Sequence, residues 1–296
     1  RLEFTGKKGS RNELELYEIE LPRVAGAAQT AAVRTVAAED RDVLWKLTGK
    51  DATTSLRDSR AHWQVRRLEK DSAIDPLETV KPSATGGFVV DGFACRDLKS
   101  DPEHDWLVID LKSCHDLPGK HYRSWVTLFG PQGLVCRTDT YLQPGLYTIK
   151  LGTAAASAKE ELRLYLYGLV AEFNSISLVG EPANRIELTV PPGKDEVTPG
   201  DTVGVKVILA EPCADLVAEF TYASKKINGM QAFPVNGTHG IDLKALDKEG
   251  RVWGADVRID ACGTSERRSV FVKVQTLGGG LERPLFANFP LAFAGK

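Results

Sequence analysis

The sequence lacks the short motifs that mark common catalytic and nucleotide-binding sites. It contains no G-x-S-x-G, no H-E-x-x-H, no P-loop and no G-x-G-x-x-G, so it does not indicate a nucleophile elbow, a zinc-protease helix or a dinucleotide site. The glycine run at 278–280 is followed by no helical pattern that could hold a phosphate. We therefore expect no cofactor, and the sequence favours a non-catalytic protein over an enzyme.

The sequence also lacks an excess of charge of either sign. Its 38 basic and 40 acidic side chains leave a formal net charge of −2, so neither nucleic acid nor an anionic membrane surface is expected as the main partner. The longest apolar runs, such as Leu162–Val170, are too short and too interrupted to span a bilayer. No transmembrane segment is therefore predicted. Hydrophobic residues still make up 42 % of the chain, enough to bury substantial cores.

Cysteines are few, and no C-x-x-C occurs among them. The five are Cys95, Cys114, Cys136, Cys213 and Cys262, and their spacing matches no zinc template. An odd number cannot all pair within one chain, so we interpret them as small buried thiols. The alternative is a disulfide, either Cys213–Cys262 or one pair among the first three.

The N-terminus has neither an initiator methionine nor the apolar region of a signal peptide. We expect the chain to be a processed protein or one segment of a longer polypeptide. A processed chain could have lost its signal, so the lack of one does not assign a compartment.

Alternation with a period of two residues dominates the first 180 residues, whereas long patterns of period 3.6 are missing. Short strands separated by turns such as Gly130–Gly133 are typical of a β-sandwich or barrel and argue against βαβ folds. The predicted strands are Glu13–Leu21, Asp42–Leu47, His62–Leu68, Phe88–Val90, Trp106–Lys112, Tyr122–Phe129, Leu134–Thr138, Leu146–Leu151, Leu162–Tyr167 and Phe173–Val179.

A linker at Glu181–Asn184 divides the chain into predicted domains 1–181 and 182–296. The closing segment Leu281–Phe293 holds Pro284 and Pro290, which should confine it to a sheet edge or an irregular strand. The other strands predicted after the linker are Ile186–Val190, Thr202–Leu209, Leu216–Tyr222, Gln231–Val235, Val252–Ile259 and Ser269–Thr276.

The strand pattern of Tyr141–Leu178 resembles the closing strands of the galactose-binding-like jelly roll that many carbohydrate-binding modules use. Pro199-Gly200-Asp201 leads into a valine-rich strand and resembles the immunoglobulin-like modules that often follow such jelly rolls. The resemblance implies an all-β protein with a jelly-roll sandwich followed by a smaller immunoglobulin-like sandwich. It also implies an extracellular or cell-envelope location and a glycan partner.

Two strands carry candidate ligand-binding residues on one face. Leu162, Leu164 and Leu166 form a core face, so Arg163, Tyr165 and Tyr167 lie on the other face, and Arg123 and Trp125 share one face of a second strand. We call these five residues, Arg123, Trp125, Arg163, Tyr165 and Tyr167, the platform. Aromatic rings stack on sugar C–H surfaces, and arginine bonds hydroxyls. The alternative is that Trp125 is core and that the tyrosines cover a sheet face or pack on the second domain.

A carboxylate-rich stretch precedes the strand at Trp106, and we interpret it as a solvated acidic loop. The alternative is a calcium site with oxygen ligands, although the spacing is not that of an EF-hand. The members of this stretch are Asp97, Asp101, Glu103, His104 and Asp105. The histidines and Cys114 nearby lack the tight paired spacing of metal ligands, so no metal is expected. That set is His104, Cys114, His115 and His121.

Three functions remain in competition. The first is a non-catalytic glycan-binding module of a larger polysaccharide-handling or cell-surface protein. The second is a structural or protein-interaction segment of a surface or assembly protein, whose partners are other domains of that assembly. The third is a polysaccharide-active enzyme, for which Asp110 and Glu172 are one conceivable acid pair among many.

Overall fold

The structure is a computed structural model, and its described residues are all-β apart from one short helix. It describes residues 41–58, 80–99, 103–116, 123–130, 133–137, 143–150, 159–189, 191–192, 200–225, 232–259, 268–276 and 281–291. All of them belong to one compact unit, Ala37–Lys296. The strands predicted at Glu13–Leu21 and His62–Leu68 lie outside the described residues, as does Cys262.

Among the described residues, nine strands and helix α1 precede the predicted linker. Their bounds are β1 Arg41–Leu47, α1 Gly49–Ser55, β2 Arg57–Asp58, β3 Val80–Pro82, β4 Phe88–Lys99, β5 Trp106–Asp116, β6 Arg123–Gly130, β7 Gly133–Arg137, β8 Gly145–Lys150 and β9 Lys159–Glu181. Within the described part of the chain, no helix has both the length and the apolar character needed to cross a membrane.

Eight strands follow the predicted linker. Their bounds are β10 Arg185–Thr189, β11 Thr202–Ile208, β12 Val217–Lys225, β13 Ala232–Ile241, β14 Lys244–Ala245, β15 Val252–Arg258, β16 Arg268–Gln275 and β17 Leu285–Leu291. Strand β11 shows the predicted alternation, because Val203, Val205 and Val207 are buried and Thr202 and Lys206 are exposed.

The strands form two sheets, which confirms the prediction of an all-β sandwich. The larger sheet has 13 strands along the path β13-β12-β16-β17-β8-β5-β9-β4-β2, with β1, β3, β6 and β7 attached beside it. The smaller sheet has four strands in the order β10-β11-β15-β14. Antiparallel pairing dominates; the one parallel pair described joins β17 to β8.

Strand β9 is the centre of the first half of the chain, since it pairs with β1, β4, β5 and β6. Two strands were predicted here, and the structure has one strand of 23 residues. Gly92 lies opposite Leu166 and Asp91 opposite Val170, so residues 167–169 are extra on β9. Gly92 has φ of 116°, which favours glycine. The predicted gap between Tyr167 and Phe173 therefore contains a bulge within one strand.

Two large hydrophobic clusters stabilise the fold. The first gathers apolar side chains of β4, β5, β8 and β9 around the stacked rings of Phe88 and Phe173, whose centroids are 5.3 Å apart. The second lies between the four-stranded sheet and β12, β16 and β17, and includes Val207, Val274 and Leu285. Burying side chains of this size contributes roughly 1.5–3 kcal/mol each. Cys213 is buried in the second cluster and its Sγ donates to the carbonyl of Asp215.

Residues on either side of the predicted linker are joined by the parallel pairing of β8 and β17. The backbone N–H of Leu146 donates to the carbonyl of Pro284 at 2.9 Å. Tyr147 stacks on Phe286 with ring centroids 4.7 Å apart, and the Asp110 carboxylate pairs with Arg283. We call this set of contacts the junction. The boundary between domains 1–181 and 182–296 stays a prediction.

The expectation that prolines confine the last strand to an edge is wrong over its first residues. Leu285 and Phe286 lie between β16 and β8. Pro284 immediately precedes the strand, where its missing N–H costs no ladder bond. Pro290 lies opposite Ser269 of β16, beyond the two residues paired with β8. From Ala287 to Leu291 the strand pairs with β16 alone among the described strands, so Pro290 lies on an edge as expected.

Candidate functional site

The register of β6 and β9 brings the platform together. Trp125 lies directly opposite Tyr165, and Arg123 lies directly opposite Tyr167. Arg163 is opposite Thr127, one pair further along the same two strands. Directly opposed residues of an antiparallel pair share a face, and so do residues two apart on one strand. All five predicted residues therefore occupy one face of two adjacent strands.

The opposite face of this strand pair belongs to the first hydrophobic cluster. Leu164 and Leu166 are 0 % and 1 % exposed there, and Ala94, opposite Leu164 on β4, is fully buried. The prediction that the leucine row faces the core is thus confirmed for these two residues. It follows that the platform is on the face of β9 turned away from this cluster.

Strand β4 adds an aromatic position that sequence reasoning missed. Phe93 lies opposite Tyr165 on the side of β9 away from β6. The predicted strand ended at Val90 because Asp91-Gly92 resembled a turn, whereas β4 continues to Lys99. The alternation Phe93, Cys95 against Ala94, Arg96 was the signal that could have extended it. The row Phe93–Tyr165–Trp125 now crosses three strands.

The predicted acidic loop is divided by the structure. Asp97 lies in β4 opposite Glu161, whereas Glu103, His104 and Asp105 immediately precede β5. Asp105 pairs with Lys150, with 3.6 Å between Oδ2 and Nζ. Asp101 and His121 lie outside the described residues. Within the described ranges, no group of three or more histidine, cysteine, aspartate or glutamate side chains is arranged to hold a metal ion.

Asp110 is held by a cation from across the junction. The guanidinium of Arg283 donates to both carboxylate oxygens of Asp110, with 3.0 Å between Nη2 and Oδ2, and Asn174 Nδ2 donates to Oδ1 at 3.1 Å. A bidentate pair of this kind fixes both side chains. The geometry therefore gives Asp110 a role in the junction.

Glu172 forms a second and separate network with β5 and the turn before β4. Its Oε1 accepts hydrogen bonds from Ser83, from Thr85 at 3.1 Å and from Lys112 at 2.9 Å. Its Oε2 accepts from Ser113 at 3.3 Å. The hydrogen bond from Ser83, together with those from Lys112 and Thr85, lowers the pKa of Glu172 to about 2.

Asp110 and Glu172 are each paired with a cation within the chain, Arg283 and Lys112, which does not suit the proton donor of glycoside hydrolysis. That chemistry needs one carboxyl group whose pKa is raised so that it can donate a proton near neutral pH. The pKa of Glu172 moves in the opposite direction, and Asp110 is committed to Arg283. These contacts are those of structural ion pairs.

Comparison with known proteins gives little by sequence. No protein-family model matches the chain, and no curated protein matches it. Among solved structures, the chain is similar to a DUF4785 family protein from Legionella pneumophila, with 9 % identity and a TM-score of 0.28 over 68 % of this chain and 64 % of that one. It is also similar to Bacteroides uniformis beta-glucuronidase 2, with 11 % identity and a TM-score of 0.23 over 84 % of this chain and 32 % of that one.

The matched region is thus less than two thirds of either neighbour's length, at 64 % and 32 %. TM-scores of 0.28 and 0.23 carry no inference about function.

Proposed function

We propose that the chain is a non-catalytic glycan-binding module, one segment of a larger polysaccharide-handling or cell-surface protein outside the cell or in its envelope. The register of β6 and β9 is the observation that carries the proposal. It aligns Trp125 with Tyr165 and Arg123 with Tyr167 on the face opposite buried Leu164 and Leu166. Within this proposal, residues 1–181 are a jelly-roll sandwich and residues 182–296 an immunoglobulin-like sandwich.

The composition of the platform suits sugar recognition. Neighbouring strands lie about 4.8 Å apart, so two opposed aromatic residues can present a continuous stacking surface to one or two sugar rings. Arginine adds up to five N–H donors for hydroxyl and ring oxygens. A surface of this kind binds without chemistry, as is expected of an accessory module that keeps its parent protein on a polysaccharide.

A glycan microarray probed with the intact chain tests the proposal, followed by calorimetry on the best ligand. We expect reproducible binding to one class of sugar. Trp125→Ala and Tyr165→Ala should each weaken the binding of the sugar about tenfold or more, since stacking on an aromatic ring contributes on the order of 1–3 kcal/mol.

Leu246→Ala is the matched control, because Leu246 is 62 % exposed next to the other sheet and its truncation should change neither folding nor binding. Circular dichroism would verify that each variant is folded. Undiminished binding by folded Trp125→Ala and Tyr165→Ala would refute the platform, and a clean blank for the folded parent chain would refute glycan binding.

The junction favours a second candidate, a structural segment that connects other domains of an assembly. The β8–β17 pairing and the Asp110–Arg283 pair cross the predicted linker. Hydrogen bonds fix the linker and the residues that follow it. Asn184 Oδ1 accepts from the N–H of Ala210 at 3.0 Å, and Thr148 Oγ1 accepts from the N–H of Ile186 at 3.3 Å. A connection of this kind suits a stiff spacer. An array blank on a folded sample would leave this candidate ahead.

A further inference from the structure

The platform belongs to a wider face on which arginine recurs. One row of register partners crosses five strands, from β2 through β4, β9 and β6 to β7. Its members are Arg57, Cys95, Arg163, Thr127 and Arg137. Each is directly opposite the next, so all five positions share the face of the platform. Neighbouring strands are about 4.8 Å apart, which puts successive arginine positions roughly 10 Å apart across the sheet.

The adjoining rows supply the aromatic residues and a fourth arginine. Phe93, Tyr165 and Trp125 make the next row, and Tyr167 with Arg123 the one after it. At these register positions of the described strands there is no aspartate or glutamate. Acidic positions flank the three rows: Asp97 with Glu161 lies beyond the arginine row, and exposed Asp91 lies on β4 two residues from Phe93, at the opposite end. We call the ten positions in the three rows the basic-aromatic face.

Such a face is unsuited to a hydrophobic interior. Desolvating guanidinium groups that have no carboxylate among them is costly, so proteins pair buried charges or leave them in water. The ion pairs elsewhere in the described chain follow this rule, as with Asp110 and Arg283 or Glu187 and Arg185. On the basic-aromatic face, the register places four arginine and four aromatic positions side by side, and the acidic positions of the described strands lie at its edges.

We infer that the basic-aromatic face binds an acidic polysaccharide, one whose sugars carry carboxylate or sulfate groups. This inference rests on the proposed function and specifies its ligand class. Arginine matches carboxylate and sulfate with two parallel N–H···O bonds, and the aromatic row stacks on the sugar rings between the charged groups. The spacing of the arginine positions suits a polymer with repeating charge.

Whole-chain charge favours a glycan over nucleic acid as the polyanion. Domains that bind nucleic acid are usually basic as a whole, with pI above about 9. This chain has a net charge of −2 and a pI of about 6.3. A local cluster of four arginines within a neutral protein recognises an anion at short range and does not attract a highly charged duplex from a distance.

Polygalacturonate and its fully methyl-esterified form are a matched pair of probes, since they share a backbone and differ in charge. Affinity electrophoresis of the intact chain should show binding to polygalacturonate, alginate or chondroitin sulfate that weakens as salt rises from 50 to 500 mM. For polygalacturonate, the esterified form should bind at least about tenfold more weakly.

Arg57→Gln and Arg137→Gln extend the test to residues outside the platform. The double variant should lose about tenfold in affinity for the acidic polysaccharide, because exposed charge pairs contribute a factor of up to about five each. Arg258→Gln, an exposed arginine of β15 in the other sheet, is the control and should leave the affinity unchanged.

The outcomes separate this inference from the proposed function. Equal binding to acidic and esterified polymer, or binding only to neutral glycans on the array, would overturn the inference and leave the proposed function standing. Absence of binding to every glycan would overturn both. Binding to single-stranded DNA as tight as that to the acidic polysaccharides would also overturn the inference, since the face would then be a general polyanion surface.

Discussion

The junction and the basic-aromatic face treat charge in opposite ways. At the junction, the guanidinium of Arg283 donates two hydrogen bonds to the oppositely charged carboxylate of Asp110, and the side-chain amide of Asn174 donates a third. On the basic-aromatic face, arginine positions lie opposite cysteine and threonine, and the acidic positions Asp97, Glu161 and Asp91 lie at its edges. One region has its electrostatic partners within the chain; the other has the composition of a surface whose partner comes from outside.

Because of this difference, the two regions should respond differently to mutation. A paired, packed contact holds the fold, so its loss should appear as lost stability. A surface that binds an external ligand contributes little to folding, so substitutions in it should weaken binding with little change in stability.

Gly145→Ala should be the most damaging single change at the junction. A Cβ on Gly145 would lie 2.6 Å from the carbonyl oxygen of Pro284 and would also meet the ring of Phe286. Either β8 or β17 must then shift, which should cost about 3 kcal/mol. Thermal unfolding followed by circular dichroism measures the loss.

Gly240→Ala is the control for this substitution, because a Cβ at Gly240 meets nothing within 4 Å. It should change the free energy of unfolding by less than about 1 kcal/mol. If Gly145→Ala melts at the temperature of Gly240→Ala, the close approach of β8 and β17 at the junction is incorrect.

Arg283→Gln should destabilise the fold by about 1–2 kcal/mol, because the partly buried Asp110 carboxylate would lose both charged donors and keep only the amide of Asn174. Chemical denaturation with urea would measure it. Adding Asp110→Asn in the same chain should recover part of the loss, since the unpaired charge is then removed. A double variant as unstable as the sum of the two singles would contradict a direct pair.

Glu172→Gln should have a smaller effect that depends on pH. The pKa of Glu172 in the folded protein is about 2, below its ordinary value of 4.5, mainly because of the hydrogen bonds from Ser83 and Lys112. A lowered pKa contributes stability that is fully present above about pH 4.5 and is lost as the pH falls towards 2. At pH 7 we expect a cost of roughly 1 kcal/mol, since the group is partly solvated.

Urea unfolding of the parent chain and of Glu172→Gln between pH 2 and pH 7 checks this sign. The difference between the two should be largest at neutral pH and should shrink on acidification. A difference that stays constant down to pH 2.5, or grows, would contradict the network around Glu172.

Sequence reasoning was most successful where structure follows local alternation. It anticipated the buried row Val203, Val205, Val207 and the core positions Leu164 and Leu166, because a period of two residues specifies which side of a strand is apolar. It also grouped the platform residues, since two strands with matching polar-aromatic rows need only be neighbours to share a face.

It failed where the outcome depends on partners distant in sequence. Leu162–Tyr167 and Phe173–Val179 were predicted as separate strands, whereas pairing with four other strands makes them one strand, β9, with a bulge. Phe93 was missed because Asp91-Gly92 resembled a turn. The Asp110–Arg283 pair spans 173 residues and the β8–β17 pairing is parallel, so neither leaves a local pattern to read.

Amide hydrogen exchange of the intact chain, with and without saturating glycan, tests whether the face carried by β6 and β9 is the ligand site. We expect slower exchange on binding in 123–130 and 159–167, with no change in 145–150 or 285–291 at the junction. Protection confined to the junction or to the segment before β5, or no glycan that binds at all, would contradict this expectation.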